Sequence, residues 1–333
     1  MRPSLTEARV CVGSHCLPLD RYFGGDWREL LSTHEPHQSN TKCPRRLRGC
    51  PWRPCERTRS AMSNAEPLKR VCAPAHQLAP VPCRDRRMMA LPSCRMLNYS
   101  AVALPLERIR GEQCSESLSE EQYVLHRYFG GSTGTPKRGG VFFELGAFDG
   151  WQESNTLHLE NCLAWTGVLV DAPTHLDSVR TNRPNAISVG LAACPRLGLV
   201  NYSMQKSTTA GITSYMNRHV RRRFRVDEAG AAPVACGPLS YLLSTLGLRH
   251  IDFLSLDVQG AELMVLRSID WAAVTISVLV AECKSLACRD PQDAAVRTLL
   301  ESPAANMRWD GILRARHDVW DAVFVSRTLS FPS

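Results

Sequence analysis

A doubly wound, mostly parallel α/β sheet finished by an antiparallel C-terminal hairpin is the fold class predicted for the second two thirds of this 333-residue chain. Three observations predict it. Short apolar runs of β-forming residues alternate with segments of helical periodicity. Several of those runs stop at a glycine turn or at an acid. The last two runs follow one another with no helix between them.

In order, residues 118–129 place Leu118, Leu125, Tyr128 and Phe129 at near-helical spacing, so a short helix precedes the first strand. Residues 140–146 form a largely apolar run of β-formers ending at Gly146, as expected of a strand buried on both faces. A helix over 155–163, a strand over 166–171, a helix over 174–182 and a strand over 186–192 come next. After a polar interval the alternation resumes with a helix over 239–246, a strand over 251–257, a helix over 261–269 and a strand over 276–282. Residues 311–316 and 322–326 then form the closing hairpin. The stretch 203–235, with Arg218, Arg221, Arg222, Arg223 and Arg225, fits neither period and reads as an inserted loop or lid.

The first 115 residues have another texture: 19 Lys and Arg against 10 Asp and Glu, 12 of the 21 prolines and 9 of the 14 cysteines. Proline- and arginine-rich sequence without apolar periodicity buries too little surface to offset ordering entropy, so this basic extension is expected to be mostly disordered, ahead of a domain over 116–333. Its cysteines show no CxxC pair, and no zinc site is predicted. No run of about 18 apolar residues occurs and the N-terminus lacks a signal-type apolar core, so a soluble chain without a transmembrane segment is expected, its compartment open and cytoplasmic only by default. Asn98-Tyr99-Ser100 and Asn201-Tyr202-Ser203 fit the glycosylation pattern, which has meaning only in a secreted chain.

Ligands of open parallel sheets bind at the carboxyl ends of the strands, so residues there become the candidates. Around the first turn these are Glu144, Gly146, Ala147, Phe148, Asp149 and Gly150, followed by Asn155. The glycines permit tight backbone approach, and Glu144 suits an ammonium group. Asp171 ends the next strand, where an acid accepts hydrogen bonds from ribose hydroxyls, and Ala192 lies where adenine would rest. Asp257, Glu262 and Glu282 converge on the next two strand ends, as general base, as orienting acids or as ligands of a divalent cation. No metal site is predicted from them.

The segments Phe142–Gly150, Ser154–Thr156, Trp165–Asp171, Asn182–Pro184 and, above all, Ile251–Leu266 resemble the FkbM-type methyltransferase domain, in that family's order. The resemblance implies a class I methyltransferase fold with S-adenosylmethionine as cofactor, and O-methylation of a small-molecule or glycan acceptor. It implies that Glu144, Gly146 and Gly150 hold the methionine end, that Asp171 holds the ribose, and that Asp257 and Glu262 form the catalytic edge. Two departures are visible: Asp171-Ala172 stands where the family usually shows Glu-Pro, and Gln259 where it usually shows Glu. The competing reading is a catalytically inactive binding or trafficking module on the same fold. Nucleic acid is not the expected partner, because Asp257-Val-Gln-Gly260 lacks the aromatic and proline platform that would stack a flipped base.

Overall fold

The computed structural model describes residues 9–12, 15–18, 120–130, 136–204, 208–216, 221–222, 226, 230–314 and 320–329. Twelve strands are formed among them. β1 (Arg9–Val12) and β2 (His15–Pro18) precede β3 (Val141–Leu145), β4 (Thr166–Asp171), β5 (Ile187–Gly190), β6 (Ala192–Ala193), β7 (Gly198–Ser203) and β8 (Ala231–Gly237). β9 (His250–Leu256), β10 (Thr275–Glu282), β11 (Met307–Arg314) and β12 (Trp320–Ser326) complete the set. The helices are α1 (Glu120–Tyr128), α2 (Leu157–Leu163), α3 (Leu176–Asn182), α4 (Leu239–Thr245), α5 (Glu262–Arg267) and α6 (Pro291–Leu300).

Nine strands form one sheet in the order β11-β12-β10-β9-β3-β4-β5-β1-β2. The central five are parallel, and β12 returns antiparallel between β10 and β11. The chain winds outward from β3 through β4 to β5, then restarts at β9 on the other side of β3. The crevice at this reversal is where a doubly wound sheet binds ligands. The predicted fold class holds: this is a class I methyltransferase fold.

Burial explains the strand sequences. Every residue of β3 is buried, and Phe142, Phe143, Phe253, Leu254, Val278 and Leu279 are fully so, consistent with a parallel sheet covered on both faces. Each such side chain contributes about 1.5–3 kcal/mol relative to exposure, which is why these strands are nearly continuous apolar runs. Alternation divides the load: Phe143 and Leu145 pack toward α4 and α5, while Phe142 faces Trp165 and the aromatic residues of α1. The β11–β12 register slips between Trp309 and Gly311, and Tyr128 of α1 donates to the buried Asp310 carboxylate there (2.7 Å).

Three features depart from the sequence reading. β1 and β2 form a hairpin, closed by a Cys11–Cys16 disulfide, that pairs antiparallel with β5, so the sheet is not confined to residues after 115. The rest of the extension lies outside the described residues, as does the expectation of disorder made for it. The 203–235 interval is flanked by β7 and β8, which pair antiparallel and join β6 in a small second sheet; Arg218, Arg223 and Arg225 lie outside the described residues. Helix α6 was not anticipated, although its signal is present: Asp290 caps it, Pro291 follows, and Asp293 closes a capping box. Its carboxylate also accepts from Lys284 N (2.8 Å) and Ser285 Oγ (2.9 Å), tying the helix to the segment after β10.

Candidate functional site

A cleft opens at the carboxyl ends of β3, β4 and β9, enclosing about 380 Å³ of space that includes its open mouth. Gly146, Asp171, Ala192, Tyr202, Ile212 and Asp257 line it. The local structure of each follows from its neighbours.

Gly146 turns the chain at φ +86°, and a Cβ there would fall 1.8 Å from the Asp257 carbonyl oxygen. The two strand ends therefore touch through backbone, which only glycine allows. Phe148 takes φ +47° in the same turn and donates its N–H to Asp171 Oδ2 (2.6 Å). Asp149 accepts from the N–H groups of Trp151 and Gln152 and fixes the loop, while Ala147 is buried beneath it. Gly150 packs a turn of the loop onto Arg183, whose Cγ would lie 2.9 Å from an added Cβ. Ala147, Phe148, Asp149 and Gly150 thus shape the loop and do not line the cleft.

Asp171 is more heavily engaged than its sequence position suggests. Oδ1 faces Ala172 N (2.6 Å), His175 Nδ1 (2.7 Å) and the Tyr202 hydroxyl (3.4 Å), whereas among the described residues Oδ2 accepts only from Phe148 N. A carboxylate oxygen has two lone pairs, so Oδ2 keeps one acceptor position. His175 and Tyr202 were not singled out from the sequence. Burial and the neighbouring Asp171 raise the Tyr202 phenol well above its usual range, so it remains a donor.

Glu144 is aimed away from the cleft. Its carboxylate accepts from Ser154 Oγ, Asn155 N and Thr156 Oγ1, and lies 4.0 Å from Arg183. Arg183 is 1% exposed and also binds Glu160 at 2.6 Å. Desolvation raises the Glu144 carboxyl, and Arg183 and the hydrogen bonds oppose that rise. Asn155, at the edge of this network, donates from Nδ2 to Ser255 Oγ (3.0 Å) while its Oδ1 is buried without a partner.

The acids of the other edge meet as expected, with different duties. Gln259, at φ +56°, donates from one Nε2 to Asp257 Oδ1 (2.8 Å) and Glu282 Oε2 (3.3 Å). An amide at 259 therefore bridges two carboxylates that would otherwise repel, where a glutamate would add a third negative charge. Glu262 accepts from Val258 N and Gly260 N, both at 3.1 Å, and holds the turn after β9 in place. The β10–β12 register sets Asp321 opposite Glu282, and Glu120 of α1 joins them. Asp321 Oδ2 and Glu120 Oε2 are buried without hydrogen-bond partners. Burial raises Asp257; burial, then mutual repulsion, raises Glu282 and Asp321 well above the usual carboxylate range, and desolvation pushes Glu120 and Glu262 up to about 7. Asp321 falls just before the last predicted strand, and the cross-strand register brings it to the site. Among the described residues, no group of three His, Cys, Asp or Glu has the arrangement of a metal site.

The residues of this crevice fall within one family pattern. Residues 144–306 match the family model of the methyltransferase FkbM domain. The match begins at the end of β3 and runs to the start of β11, enclosing Glu144, Asp171, Gln259 and Glu282. Among solved structures, the mitomycin 7-O-methyltransferase MmcR is similar at 10% identity and a TM-score of 0.29, covering 63% of this chain and 53% of that one. LepI in complex with SAM is similar at 11% identity and a TM-score of 0.31, covering 69% and 53%. The chain spans about half the length of these structures, and the fold assignment here rests on strand order and the family match. No curated protein matches the chain. No helix among the described residues is long and apolar enough to cross a membrane.

Proposed function

We propose that the FkbM domain is an S-adenosylmethionine-dependent methyltransferase acting on a hydroxyl of a small-molecule or glycan acceptor. The observation that carries this reading is the Asp171 carboxylate at the carboxyl end of β4, with one acceptor position left at Oδ2 beside the Gly146 turn. The residues present suit the cofactor. Asp171 Oδ2 would take a ribose hydroxyl, the orphaned Asn155 Oδ1 would accept from the methionine ammonium, and Ala192 and Ile212 would flank adenine. This assignment moves the ammonium contact from Glu144 to Asn155, because Glu144 is committed to Arg183 and its hydroxyl neighbours.

The cofactor, when bound, supplies an electrophilic methyl group. The chain supplies position: the Gly146–Asp257 backbone contact fixes the distance between cofactor loop and acid edge, and orientation of this kind provides much of the rate. Asp257 lines the cleft and would accept the proton of the acceptor hydroxyl. Its raised affinity for protons makes it a better base near neutrality than an ordinary aspartate. Gln259 orients that carboxylate, and Glu262 holds the turn that carries it.

Calorimetric titration of S-adenosylmethionine into the full chain, beside Asp171→Asn, tests the reading. Losing a charged hydrogen bond should weaken binding by about 1.5–3 kcal/mol, roughly 10- to 100-fold, with the circular dichroism unchanged. A folded chain that binds none at millimolar cofactor would overturn the enzyme reading and favour the inactive binding module.

A further inference from the structure

We propose that Asn201 carries an N-linked glycan and that the domain completes its fold in an oxidising compartment. Two independent observations lead there. The first is the state of the cysteines. Among the described residues, Cys11 pairs with Cys16, Cys194 with Cys236 and Cys283 with Cys288. These three staples sit in different places: the edge hairpin, the small sheet beside the cleft, and the segment after β10. Reducing compartments do not maintain structural disulfides of this number, so the pattern replaces the cytoplasmic expectation.

The second is the setting of the acceptor triplet Asn201-Tyr202-Ser203. β7 is the edge strand of the small sheet. Side chains alternate across a strand, and Tyr202 points inward to Asp171, so Asn201 points outward. Asn201 is exposed, and its neighbour on the same face, Leu199, is 55% exposed, with Leu197 at 42% nearby. A bulky hydrophilic glycan at this position would screen that apolar surface while leaving the cleft open on the other face.

The fold also orders the events. Ser203 is 2% exposed and its Oγ accepts from Gly211 N (3.0 Å), so the triplet is closed to a transferase once residues 208–212 dock on β7. Transfer therefore precedes closure. The Asn201 Nδ2 attacks the anomeric carbon of a lipid-diphosphate-linked oligosaccharide; the C–N bond forms, the bond to diphosphate breaks, and the amide loses one proton. Each disulfide forms with loss of two electrons and two protons from a thiol pair to a disulfide oxidant of the same compartment.

The test uses the full chain from its native cells, alkylated before lysis, digested without reductant, and treated with peptide N-glycosidase in heavy-oxygen water. Three disulfide-linked peptides and heavy-oxygen aspartate at position 201 are expected. Alkylation of the six cysteines, or an unmodified Asn201 beside intact disulfides, overturns the proposal. In parallel, Asn201→Gln should lose one glycosidase-sensitive mobility step on denaturing gels; the same number of steps in the variant and the native chain overturns the assignment to Asn201.

Discussion

Two groups of buried carboxylates gather around the same sheet and are neutralised in opposite ways. Glu144 and Glu160 share the buried guanidinium of Arg183, and the hydroxyls of Ser154 and Thr156 complete the Glu144 shell. Asp257, Glu282, Asp321 and Glu120 have no described ion pair at all; an amide bridges two of them, and protons are left to relieve the rest. The first arrangement resembles a fastener, in which every charge has a partner. The second retains electrostatic cost in the cleft wall, as perturbed acids at functional sites commonly do.

The largest expected effect breaks the fastener. Arg183→Met leaves two acids buried without their cation and should cost about 3–5 kcal/mol in urea denaturation. Adding Glu144→Gln and Glu160→Gln should recover much of that loss. A cost below about 1 kcal/mol for Arg183→Met would erase the contrast.

The acid edge should respond in the other direction. Glu120 and Glu262 bind protons more tightly folded (about 7) than in their ordinary state (4.5), so their contribution to stability is full below 4.5 and is lost as pH rises through 7. The melting temperature should therefore fall as pH rises from 4.5 to about 7, by roughly 2–4 °C for each kcal/mol lost. Asp321→Asn should flatten the profile and raise the melting temperature at the alkaline end, because it removes a repelling charge from the cluster. An identical slope in variant and wild type would remove Asp321 from the coupled set.

The smallest effect sharpens the cofactor side. Tyr202→Phe deletes one donor to Asp171 and should weaken cofactor binding by about 0.5–1.5 kcal/mol, roughly 2- to 10-fold, in the same titration. A loss as large as that of Asp171→Asn would instead make the phenol a direct contact.

Much of the architecture was legible because local signals agree there. The β3, β4, β9 and β10 runs are mostly apolar, and their ends carry Gly146, Asp171, Asp257 and Glu282 where a parallel sheet presents its ligand-facing residues. The capping box of α6, Asp290 to Asp293, is an equally local signal. What local pattern does not carry is pairing between distant segments. Nothing near Asp321 in the chain announces that it will sit opposite Glu282, and nothing near Tyr202 announces Asp171 thirty-one positions away.

By itself, then, the sequence determined the alternation of strands and helices in the central sheet, the glycine turn and the acids at the strand ends, because periodicity and turn chemistry act over a few residues. Only the tertiary structure decided that Glu144 serves Arg183, that Gln259 bridges Asp257 to Glu282, and that Glu262 ties down a loop. A carboxylate's role depends on which donors and charges surround it once water is excluded, and those neighbours arrive from segments that only the folded sheet brings together.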